Sequence, residues 1–149
     1  MCMVIAVSGL IFCFSAQNGD SSASLSDAVT VRILRVLLPN LPAQSSLFEI
    51  ARQISFLVRK SAHYLVYCLL GISCAYTATR RPGRPVFKSG IFALLYCIAY
   101  AASDELHQFF IPGRSAQMSD VALDTAGAVS GILLFSLFWQ WRHGRDREK

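Results

Sequence analysis

"SDELHQFFIPGRSAQMSD", residues 103–120, decides how this chain is read, because it gathers acids, a His, Gln and an Arg between two strongly apolar stretches. Those stretches, 86–103 and 121–141, approach or exceed the roughly 20 residues a spanning helix needs. The polar text is then the turn between two membrane helices, and its charges sit at one membrane surface. Two further apolar segments, 1–16 and 61–79, extend the pattern to four spans. Lys88 is accommodated in the third by snorkelling, and 1–16, lacking a basic n-region and an A-x-A site, reads as a first span, not a signal peptide.

Composition agrees. Apolar residues make up 54% of the 149 and charged residues 15%, against about 25% charged in an average soluble chain. The net charge of +5 raises nucleic acid as a partner, but the bases are placed otherwise. Arg80, Arg81, Arg84 and Lys88 form one group, Arg142, Arg145, Arg147 and Lys149 another, each beside an apolar stretch. That is how cytoplasmic flanks of membrane helices look, and no nucleic-acid recognition motif accompanies it. Both termini are therefore expected in the cytoplasm, with Trp139 and Trp141 at the inner interface. The five cysteines all lie in apolar stretches, which argues for small core packers and against a disulfide framework.

The long connection 17–60 is patterned. Ser24 with Asp27 and Ser46 with Glu49 have capping-box spacing, and Leu25, Val29, Ile33, Val36 and Leu37 form one apolar face. The expectation is an interfacial helix on the outer leaflet, ended by "LPNLP" at 38–42, then a helix from Leu47 running unbroken into the second span. The fold class is thus all-α: a single polytopic membrane domain, 1–149, built as a four-helix transmembrane bundle with an extracytoplasmic interfacial helix between helices one and two. Gly127 and Gly131 have small-xxx-small spacing for close helix approach, read as packing within the bundle in preference to dimerisation.

This topology brings Gln17, Arg59, Lys60, His63, Asp104 through Gln108, Asp120 and Asp124 to one depth on the extracytoplasmic side. Arg59, His63 and Tyr67 are four apart, as are Asp104 and Gln108, and Asp120 and Asp124; Asp104 and His107 are three apart. Ionisable groups at membrane depth are expensive unless paired or wet, so a functional site is the default reading; mutual neutralisation is the plainer alternative. "IPGR" at 111–114 is a tight turn, Pro setting φ and Gly permitting positive φ. It aims Arg114 at the same pocket or at lipid phosphates.

At these residues the sequence resembles the VanZ-like family of small bacterial membrane proteins. The matching text is "FSAQ" at 14–17, "RKSAHYLVYCLLG" at 59–71 and "SDELHQFFIPGRSAQMSDVALDTAG" at 103–127. The resemblance implies a four-helix membrane domain whose functional residues are Arg59, Lys60, His63, Asp104, Glu105, His107, Gln108, Arg114 and Asp120. Asp124 departs from the family pattern, where Asn is expected. The name-giving member is associated with low-level resistance to the lipoglycopeptide antibiotic teicoplanin without remaking the D-Ala-D-Ala target.

Two functions compete. One is an envelope protein that engages an amphiphile of the outer leaflet, either a lipid-linked wall precursor or a lipoglycopeptide, through Gln17, Arg59, Lys60, Tyr67, Gln108, Arg114, Asp120 and Asp124. The other is an intramembrane hydrolase or transferase acting on a lipid head group, with His63 and His107 as acid and base and Asp104, Glu105 or Asp120 orienting an imidazole. No cofactor is expected: two His and several carboxylates suit a divalent metal, but no pair has the spacing of a known metal motif. A transporter is disfavoured because inner helix halves such as 132–138 carry no ionisable residue.

Overall fold

The computed structural model describes residues 1–37, 44–80 and 85–144, excepting the side chains of 44–47 and 144, and contains five helices: α1 (Cys2–Ser15), α2 (Gly19–Leu37), α3 (Gln44–Thr79), α4 (Val86–Phe109) and α5 (Met118–Gly144). No strand occurs among the described residues. The 38–42 stretch expected to end the interfacial helix lies outside them, as do Arg81, Arg84, Arg145, Arg147 and Lys149.

On length and composition two helices qualify as membrane spans, Val86–Phe109 and Met118–His143. A third counts if α1 and α2, which meet at 106°, are one broken span. The 14 residues of α1 cover about 21 Å, less than the roughly 30 Å hydrocarbon core.

The corner between α1 and α2 corrects the expected cap. Asn18 Oδ1 accepts the Ser21 N–H at 2.8 Å, so α2 starts at Gly19 and not at Ser24. Ser24, Ser26 and Thr30 lie inside the helix and return their hydroxyls to the carbonyls of Ser21, Ser22 and Ser26, the back-bonding such residues adopt there. Likewise α3 is already helical at Gln44, which puts Ser46 within its first turn. From there it runs unbroken for 36 residues, as the sequence led one to expect. On α2, Ser22, Thr30, Val31 and Leu34 are the buried residues, the last two packing with Ala51 and Ile54 of α3. Leu25, Val29, Ile33, Val36 and Leu37 remain exposed.

The main core lies between α3, α4 and α5, with Val7 and Ile11 of α1 added to it. Three glycines set the α3–α5 approach. A methyl group on Gly71 would overlap the carbonyl of Ala128; on Gly127, that of Tyr64; on Gly131, that of Cys68. Backbone meets backbone, so Gly127 and Gly131 serve packing within the monomer. The Tyr64 and Ser130 hydroxyls close the same seam at 2.6 Å. The inward stripe of α4 is small at one end (Ser89, Ala93, Cys97, Ala101) and polar at the other (Asp104, Glu105, Gln108), all of it buried. All five cysteines are free thiols, but only Cys74 and Cys97 are buried; Cys2 and Cys13 are exposed on the short outlying α1, so the core-packer reading fails for them.

Candidate functional site

The end of α1, the start of α2, the middle of α3, the end of α4 and the start of α5 meet at one end of the bundle. The 111–114 turn holds them there. Arg114 N–H bonds the Ile111 carbonyl at 3.2 Å and Gly113 has φ 75°, the positive value the Pro-Gly pair implies. The turn also docks on the corner, Gly19 N–H donating to the Pro112 carbonyl at 3.1 Å.

Arg114 does not point outward to lipid phosphates. Its Nη2 donates to the Phe14 carbonyl at 3.0 Å, Nε to the Gln17 carbonyl at 3.0 Å, and Nη1 to Gln108 Oε1 at 2.9 Å. It thus caps the open C-terminal end of α1, where a cation suits the dipole. Burial, and then the neighbouring Arg59 charge, lower its pKa from the ordinary arginine value, against the pull of Asp104 and Glu105.

Two cavities share this corner. A polar cleft of about 140 Å³ is lined by Arg59, Lys60, His63, Gln108, Arg114, Asp120 and Asp124. An apolar cavity of about 390 Å³ is walled by residues such as Ile11, Leu25, Val29, Val58 and Val66, with Gln17 at its edge. Arg59, His63 and Arg114 line both. Lys60 pairs with Asp120 and lies over the Phe56 ring at 5.1 Å, whereas among the described residues Arg59 makes one long contact, 3.4 Å, to Ser26 Oγ.

Behind the cleft, Asp104 Oδ2 accepts from Ser15 Oγ at 2.9 Å and from Gln108 Nε2 at 3.1 Å. His63 Nδ1 lies 3.7 Å from Asp124 Oδ1. Ligand atoms of His63, Asp104 and Asp124 fall within 4.8 Å of one another.

The remaining sequence candidates are placed elsewhere. Glu105 accepts the Gln117 N–H and so stabilises the first turn of α5. His107 stacks on Phe12, ring centroids 4.9 Å apart, and lines neither cavity, so the two histidines do not form one acid–base pair. Tyr67 is fully buried beneath the cleft and lines neither cavity. Missed from sequence were Ser15, Ser26, Phe56 and Gln117. Ser15 and Gln117 carried a signal, standing inside "FSAQ" and "SDELHQFFIPGRSAQMSD".

A family model described as VanZ/LLP1 matches residues 1–139. The comparisons with curated proteins and with solved structures give no match.

Proposed function

Since the chain belongs to the VanZ/LLP1 family, we propose that it is a multi-pass protein of the bacterial cytoplasmic membrane that engages an amphiphile with an anionic head group. In this reading four spans cross the bilayer, both termini are cytoplasmic, and α2 rests on the extracytoplasmic leaflet through its exposed Leu25, Val29, Ile33, Val36 and Leu37. A lipid-linked cell-wall precursor or a lipoglycopeptide such as teicoplanin has the required shape, which is where a role in antibiotic resistance would arise.

One observation carries the proposal: a polar cleft and an apolar cavity share Arg59, His63 and Arg114 as a common wall. A phosphate or carboxylate seated between Arg59 and Arg114 would relieve their mutual repulsion, and an acyl chain would follow the apolar wall. The test is native mass spectrometry of protein extracted with its own lipids, comparing wild type with Arg59→Gln and with Ala62→Phe, Ala62 being part of the apolar wall. Wild type should retain a defined anionic amphiphile, Arg59→Gln should release it, and Ala62→Phe should exclude its chain. Identical lipid content in all three overturns the reading.

Catalysis on the bound head group is the second reading, favoured by the His63 imidazole facing the buried Asp124 carboxylate. A catalyst would lose turnover in His63→Ala or Asp104→Ala with substrate still held; a binding site would lose affinity instead.

A further inference from the structure

The geometry points to a divalent cation site of the Zn²⁺ or Mn²⁺ class formed by His63 of α3, Asp104 of α4 and Asp124 of α5. The three side chains offer one nitrogen and two carboxylate oxygens within 4.8 Å of one another. Ligands held at about 2.0–2.2 Å from a metal stand roughly 3.0–4.2 Å apart, and the His63–Asp124 separation is already 3.7 Å. A small contraction around an ion completes the set.

Charge and unmet polarity both ask for a cation there. Asp104 and Asp124 are 5% and 1% exposed, two carboxylates packed together away from water. The strong cations nearby are turned to other partners: Lys60 pairs with Asp120, Arg59 contacts Ser26, and Arg114 spends its bonds on two carbonyls and Gln108. Among the described residues, Asp124 Oδ1 and the Tyr67 hydroxyl have no hydrogen-bond partner, although both are fully buried. Tyr67 follows His63 by one turn of α3 and interacts electrostatically with both Asp104 and Asp124. Buried polar atoms without partners are rare in native structures and call for a bound water or ion as partner. Ser15 and Gln108 hold the Asp104 carboxylate in orientation, as the surroundings of a metal ligand do. One imidazole with two carboxylates suits Zn²⁺ or Mn²⁺ better than Ca²⁺. His63 and Asp124 also line the polar cleft, so the ion would present its open position to that space. The ion needs no amphiphile, and this inference stands apart from the proposed ligand.

The test is metal content and metal affinity of the detergent-purified chain. Wild type, stripped with chelator and titrated with Zn²⁺ alone, should take up one equivalent and melt at a higher temperature when loaded. Asp124→Asn should weaken Zn²⁺ by at least about 10-fold, and Mn²⁺ loaded into wild type should show a spin-resonance signal perturbed by His63→Gln. Tyr67→Phe, which keeps all three ligands, guards against an unfolded variant by retaining the one-equivalent stoichiometry. A wild-type chain that binds neither ion stoichiometrically overturns the site. So does an Asp124→Asn chain that binds Zn²⁺ as wild type does. If wild type stays metal-free and Asp124→Asn only raises its melting temperature, the pair shares a proton and the inference is wrong.

Discussion

Substituting the same residue at two glycines should move stability in opposite directions. Gly131→Ala and Gly9→Ala each gain about 0.8–1 kcal/mol of helix propensity. At Gly9 nothing lies within 4 Å of the added methyl, so the gain survives. At Gly131 the methyl overlaps the Cys68 carbonyl, a backbone atom that cannot turn aside as a side chain would. Overpacking costs about 1–3 kcal/mol, and a rigid partner puts this case in the upper half, leaving a net loss of about 1–2 kcal/mol. At about 2–4 °C per kcal/mol for a chain of this size, Gly131→Ala should melt about 2–8 °C below wild type and Gly9→Ala about 2–4 °C above it. Thermal unfolding in one detergent, followed by tryptophan emission and by size-exclusion, reads both. Gly127→Ala should behave as Gly131→Ala does. The double variant Gly127→Ala, Gly131→Ala should lose less than the sum, because the first methyl already separates the helices. A Gly131→Ala chain as stable as Gly9→Ala would mean that α3 and α5 are not in backbone contact.

Ser15→Ala removes a buried hydroxyl that donates to Asp104, and should cost about 1–3 kcal/mol, read as a lower melting temperature. Glu105→Gln leaves an acceptor for Gln117 but removes the charge at the start of α5; a loss of about 0.5–1 kcal/mol is expected, shrinking with added salt. For Lys60 and Asp120, a double-mutant cycle with Lys60→Met and Asp120→Asn should give a coupling of about 1 kcal/mol or less, since both side chains are partly solvated. A single Cys at Ser115, in a chain without native cysteines, should react with an impermeant reagent from outside whole cells, and one at His143 should not; the reverse pattern would invert the proposed topology.

The sequence was most legible where one helix carries its own signal. The Pro-Gly turn, the unbroken α3 and the close-packing Gly127–Gly131 pair all follow from local rules. Convergence of the polar groups at one end was legible too, because apolar segment lengths fix where each charge falls. Capping was not: Ser24 has the right spacing, but Asn18 reaches the chain first and Gly19 can touch the 111–114 turn where a side chain could not. Nor was the division of labour within "SDELHQ". Spacing puts Asp104 and His107 on one face, yet α1 packs over His107 through Phe12, while Glu105 faces the α5 backbone. The His63, Asp104 and Asp124 trio was invisible to a search for ligand pairs along one helix, because each member comes from a different one.

The cap that Arg114 places on α1 also sets a clock. Its contacts to the Phe14 and Gln17 carbonyls join residues 100 and 97 positions apart. At about 5–20 residues per second of synthesis, roughly 5–20 s pass between the emergence of α1 and that of the arginine that closes its end. Throughout that interval the end of α1 has open carbonyls, whereas Asp104, made ten residues before Arg114, waits only about 0.5–2 s for the turn. The corner is completed only once residue 114 has been made, so any truncation before it removes the site together with the stable end of the first helix.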